Sequence, residues 1–125
     1  MPQQSNVRLT TEQKRAAHAW KKATEGVARH PKDYVSDAKG LPALIMNSGL
    51  MQVMAFLQGK NGNQYKLLGC HLRDWLHQQM GTPQDFKKFM SHLAAMEDSR
   101  RFQAITTEAL AWLKWLRQLA PAVEQ

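Results

Sequence analysis

Apolar residues recur along this chain at intervals of three and four, the period of helices packed through one face. Ala16, Trp20, Ala23 and Val27 form such a stripe and predict a first helix over about 11–29. Thr10 or Thr11 can cap it, and Gln13 three residues after Thr10 completes a capping-box pattern. His30-Pro31 ends it. A second helix opens near 31–33 and takes in Tyr34, Val35 and Ala38. Pro42 then either starts a new helix at its first turn or kinks a continuous one. Residues 41–59, LPALIMNSGLMQVMAFLQG, carry no charge and are too apolar for a solvent-facing helix. They read as two helical pieces hinged at Asn47-Ser48-Gly49 and buried at the centre of the fold.

After a loop at 59–63, Asn63 can cap a helix over about 64–80 with Leu68, Leu72, Trp75 and Leu76 on its apolar face. Gly81 ends it. Thr82 as cap and Pro83 at the first helical position predict the next helix, with Phe86, Phe89, Met90, Leu93 and Met96 on its inner face. The last helix begins near Asp98 or Ser99. Its seam is Phe102, Ile105, Ala109, Trp112, Leu116 and Leu119, and Pro121 stops it. No run alternates apolar and polar residues long enough for a strand. The expectation is an all-α, compact bundle of five to seven helices in one domain over 10–125, preceded by a flexible arm over 1–9.

Composition sharpens this picture in three ways. The chain has 125 residues, enough for one core of moderate size. Its single cysteine, Cys70, excludes an intrachain disulfide and fits a reducing cytoplasm. No leader-like or membrane-spanning apolar run is present. The net charge is +7 and unevenly spread: residues 1–66 hold 10 basic against 4 acidic residues, and no acid lies between Asp37 and Asp74. Such an excess suits a polyanionic partner, although many soluble proteins are basic without one. On charge and helical position the candidate phosphate-contacting residues are Lys14, Arg15, Lys21, Lys22, Lys60, Lys66 and Arg73.

Catalytic chemistry finds little support. His71 and His77 lack the spacing that sets two ligands on one helix face, and Cys70 diverges from His71 by about 100° around a helix. No metal or other cofactor is expected. Gly59 and Gly62 lack the spacing and the following Lys-Ser/Thr of a phosphate loop. His71 and Asp74, three apart, are the one pair on which a small ribonuclease could be built. Asn47-Ser48-Gly49 could pass for the turn of a helical DNA-binding regulator, but the helix after it has no Lys or Arg to read bases. Trp20, Trp75 and Trp112 are expected in the core. Trp115 lies on the same face or at its edge, where it could be a contact or stacking surface.

Three blocks resemble one family. Leu41-Pro42-x-Leu44-Ile45-x-Asn47-x-Gly49-Leu50-x-Gln52-x-x-Ala55-Phe56-Leu57 is similar to the signature of the small helical subunit of Cmr (type III-B) CRISPR–Cas effector complexes. His71-Leu72-x-Asp74-Trp75-Leu76 resembles its middle helix, and Glu108-Ala109-Leu110-x-Trp112-Leu113-x-Trp115-Leu116 its closing helix. The resemblance implies a non-enzymatic, all-α subunit of an RNA-guided antiviral complex. It implies several copies stacked along the assembly, beside the backbone subunits that hold the guide RNA and cut the target. The large subunit lies at one end, and the stacked copies line the path of the target RNA. The signature is chiefly apolar, so it identifies no RNA-contacting side chain.

Overall fold

The computed structural model describes residues 8–124, so all of the expected N-terminal arm except Arg8 and Leu9 lies outside the described residues. Six helices follow in order: α1 (Thr11–Arg29), α2 (Asp33–Ser48), α3 (Leu50–Gly59), α4 (Asn63–Met80), α5 (Phe86–Ala94) and α6 (Ser99–Glu124). No strand occurs among the described residues. The long closing helix α6 packs against α1, α2 and α4, while α3 is held between α2 and α4 and α5 closes one end against α3 and α4.

The α1 cap forms as its sequence predicts. Gln13 N donates to Thr10 Oγ1 at 3.1 Å, and Thr10 N donates to Gln13 Oε1 at 2.7 Å. The buried face of α1 is nevertheless turned relative to the expected stripe. It consists of His18, Ala19, Ala23, Gly26 and Val27, and Trp20 stands 51% exposed. Small residues win this face because they let a neighbouring helix approach closely. At Gly26 the Tyr34 ring fills the space a side chain would need, since an added Cβ would lie 2.3–2.5 Å from its carbons.

Helix α2 runs unbroken through Pro42, which settles the alternatives for that residue in favour of one continuous helix. It stops at Gly49, whose backbone at φ 88°, ψ 157° suits glycine and directs the chain into α3. Residues 41–59 are thus two helices joined at the expected hinge. Leu41, Ile45, Leu50, Val53, Met54 and Leu57 enter the core. Burial is one-sided, however: Leu44, Met46 and Phe56 face out, Met46 at 77% exposure.

Three expected boundaries shift. Gly62, not Asn63, occupies the cap position of α4 and supplies no side-chain cap. Helix α5 starts three residues later than Thr82-Pro83 suggests. Asp85 caps it by accepting from Lys88 N at 3.1 Å, and Thr82 is fully buried. Helix α6 passes through Pro121 to Glu124, because a proline so near the end forfeits few helical bonds. Asp98 Oδ1 accepts from Arg100 N and Arg101 N, each at 3.1 Å, at its start. Trp75 and Trp112 lie in the core as expected, with Leu68, Leu72, Leu76, Phe89, Ile105 and Leu116.

Candidate nucleic-acid interface

The seven basic residues singled out by charge divide into two groups. Arg15 reaches from α1 across to α6, its Nε 2.6 Å from Glu108 Oε2 and a terminal nitrogen 2.8 Å from Oε1. It also bonds Glu12 at 3.1 Å. These bonds to Glu108 hold the guanidinium even more firmly protonated than usual. Lys22 Nζ lies 3.7 Å from Asp74 Oδ2 and 3.9 Å from Glu25 Oε1, mostly covered. Arg73 is 7% exposed: Nε donates to the Gln84 carbonyl at 2.8 Å, and the guanidinium sits over the Phe86 ring at 5.6 Å. Burial lowers its pKa. These three residues tie helices together and are largely covered from solvent.

Lys14, Lys21, Lys60 and Lys66 are exposed and none has an acidic partner among the described residues. Lys14 and Lys21 border a groove of about 470 Å³ between α1 and α4, whose wall includes Ala17, Gln78 and Gln79. Lys66, with Arg29 and His30, borders a second groove of about 540 Å³ where α1 ends and α4 begins. Lys60 leans over the Phe56 and Tyr65 rings at 5.7 and 5.9 Å. The four therefore fall at three places on the surface, Lys14 and Lys21 together along one groove and Lys60 and Lys66 apart from them.

Beneath α1 lies a buried polar network that charge and spacing did not reveal. Trp112 Nε1 donates to His18 Nδ1 at 2.9 Å, which leaves the His18 proton on Nε2, facing Asp74 Oδ2 at 2.7 Å. Burial lowers the His18 pKa. Burial also works to raise the Asp74 carboxyl, but the hydrogen bond from His18 and the charge of Lys22 outweigh it and hold it low. Gln84 Nε2 donates to Asp74 Oδ1 at 2.7 Å. Trp75 Nε1 donates to Glu108 Oε2 at 3.0 Å, joining the Arg15 pair.

His71 belongs to a second site. Tyr34 Oη donates to its Nδ1 at 2.8 Å, and its Nε2 faces Glu25 Oε1 at 3.4 Å. Only 2% exposed, His71 is pushed by burial down to about 4 and is neutral at physiological pH. The same burial raises the Tyr34 hydroxyl. His71 and Asp74 share a helix but not a partner, so they form no acid–base pair. Helix α3 turns Gln52, Ala55 and Phe56 outward and offers no cation for reading bases. Among the described residues, no three His, Cys, Asp or Glu side chains converge on a metal site, and no helix is long and apolar enough to cross a membrane.

Comparison with known proteins agrees with this architecture. The family model described as CRISPR-associated protein (Cas_Cmr5) matches residues 11–123. The chain belongs to the Cmr5 family. An X-ray crystal structure of a CRISPR-associated Cmr5 family protein from Thermus thermophilus superposes with a TM-score of 0.78 at 26% identity, covering 93% of this chain and 98% of that one. Family membership makes this chain a small CRISPR-associated subunit of the type III-B Cmr complex, associated with other subunits of that complex. Of the three blocks that carry the resemblance, His71, Asp74, Trp75, Glu108 and Trp112 are the residues of the two buried polar sites.

Proposed function

We propose that this Cmr5-family chain is a non-catalytic subunit that takes its place beside the backbone and large subunits, in several copies, and lines the path of guide and target RNA. The observation that carries the reading is the division of its basic residues. Arg15, Lys22 and Arg73 are spent inside the fold, whereas Lys14, Lys21, Lys60 and Lys66 are exposed and form no ion pair among the described residues. Exposed lysines of this kind neutralise phosphates without reading sequence, as a guide-programmed machine requires. Repeated once per copy, they make a broken positive track along the assembly.

The outward-facing Leu44, Met46 and Phe56 at the α2–α3 corner suit contact with neighbouring subunits. Stacking of identical chains calls for a head-to-tail interface, in which this face meets a different surface of the next copy. A flexible thioether such as Met46 adapts readily to such a contact.

Binding of the isolated protein to a labelled single-stranded 20-mer RNA, titrated with salt, tests the track. Each phosphate contact contributes a slope of roughly −0.7 in log K against log salt, so four lysines predict about −3. Lys14→Glu with Lys21→Glu should lower affinity and flatten the slope while the circular dichroism spectrum stays helical. Unchanged binding at low salt would remove α1 from the track.

A further inference from the structure

Three of the four tryptophans have their indole N–H engaged. Trp75 donates to Glu108, Trp112 to His18, and Trp115 to Glu12 at 3.0 Å. Trp20 differs on every count. It is half exposed, and its N–H has no protein partner among the described residues. Its neighbours on the helix surface are Ala17 and Thr24, short, uncharged and exposed themselves. Thr24 turns its hydroxyl back onto the Trp20 carbonyl at 2.8 Å. A large flat ring is thus held in water by a rigid helix with low walls on either side.

The charges around it are sorted. Helix α1 has two acids, Glu12 and Glu25, both outside the stretch 13–24, and both already paired: Glu12 with Arg15, Glu25 with Lys22 and Arg29. Between them Lys14 and Lys21 lie seven residues apart on one line of the helix, about 10 Å along its axis. Trp20 projects roughly 100° around the helix from Lys21. A strand with its phosphates along the lysine edge therefore needs only to turn one base across the crest of α1 to lay it on the indole.

We propose that Trp20 is a stacking platform for an unpaired base of single-stranded RNA, with Lys14 and Lys21 holding the adjoining phosphates. The inference rests on the RNA-binding reading above and adds a base-dependent contact to it. Stacking on an aromatic ring tolerates any base, because each has a π-face. A base inside a duplex has both faces covered, so the ligand is a nucleotide left unpaired.

The test measures affinity of the full chain for a 15-mer oligouridylate and for an abasic ribose-phosphate 15-mer of equal charge. Trp20→Ala should weaken binding of the oligouridylate by roughly 5- to 150-fold, the range of alanine substitutions at stacking residues. It should leave the abasic strand and the salt slope unchanged, and Trp20→Phe should keep most of the affinity. Lys14→Glu with Lys21→Glu should weaken both ligands. If Trp20→Ala binds both strands like the parent while the lysine variant is weakened, the platform is refuted and the phosphate track stands; Trp20 then serves a protein contact. If neither variant is weakened, the platform and the α1 track fall together.

Discussion

Arg15→Met separates a structural arginine from a ligand-binding one. Methionine keeps most of the aliphatic stem but strips both donors from Glu108, which is 8% exposed. The carboxylate is then left with the Trp75 N–H at 3.0 Å as its one remaining protein donor. Removing one partner of a buried ion pair typically costs about 3–5 kcal/mol. Arg15 is about one-fifth exposed, which places the expected loss near the lower end, roughly 3 kcal/mol. Total stabilities of small domains are only about 5–15 kcal/mol, so urea denaturation followed by circular dichroism should show a large shift. The melting temperature should fall by roughly 10 °C at this chain length. Adding Glu108→Leu removes the stranded charge and leaves only the Trp75 N–H without an acceptor, a penalty of about 1–3 kcal/mol. The double variant should therefore be more stable than Arg15→Met alone. RNA affinity under native conditions should match the parent in both. A double variant less stable than the single one, or an Arg15→Met protein that is stable but binds RNA poorly, would refute this placement of Arg15.

Acidification should act through His71. Its folded pKa of about 4 lies below the ordinary value of 6.5, so between these limits the unfolded chain takes up the proton that the folded chain refuses. Stability is then complete above pH 6.5 and declines by up to roughly 3 kcal/mol toward pH 4. His71→Gln should flatten that part of the urea-midpoint profile, and an equally steep decline in the variant would point to another group. Gly26→Ala should destabilise by about 1–3 kcal/mol despite the better helix propensity of alanine, because Tyr34 is fully buried and cannot yield; a raised melting temperature would contradict the close approach. Met46→Ser with Phe56→Ser should leave the isolated chain folded but reduce its recovery with the other Cmr subunits on co-purification, and full recovery would exclude this face as a contact.

Most of the helical layout was legible because it depends on local rules. Thr10 and Gln13 form their capping box, and Leu68, Leu72, Trp75 and Leu76 face the core as their spacing demands. The departures arise where local signals leave room for another outcome. Pro121 reads as a stop, yet α6 passes through it to Glu124, where few helical bonds are left to lose. Pro42 left two readings open, and α2 takes the continuous one. On α1 two stripes are equally periodic, one through Trp20 and one through Ala19, Ala23 and Gly26. Ranking by hydrophobicity favours the tryptophan. The structure selects the small residues, since the Tyr34 ring needs the room at Gly26. The glycine was the available signal, as an interior helix position gains nothing from glycine unless something must come close.

The candidate interface was less legible for a more basic reason. Charge counts treat every lysine and arginine alike, but availability depends on whether an acid meets the cation in the folded chain. Arg15 and Glu108 are 93 residues apart in sequence, and no local pattern pairs them. The blocks that resemble Cmr5 proteins could not help, because His71, Asp74, Glu108 and the indoles of Trp75 and Trp112 are engaged inside the bundle, Trp75 with Glu108 and the others with His18, Tyr34 and Arg15. Their exposed polar members, Asn47 and Gln52, carry no charge. Resemblance in these blocks therefore reports on the fold. A chain that kept them and lost Lys14, Trp20 and Lys21 should still fold and join its complex. The proposed RNA contacts thus need the surface substitutions to be tested, and the buried substitutions serve as their control.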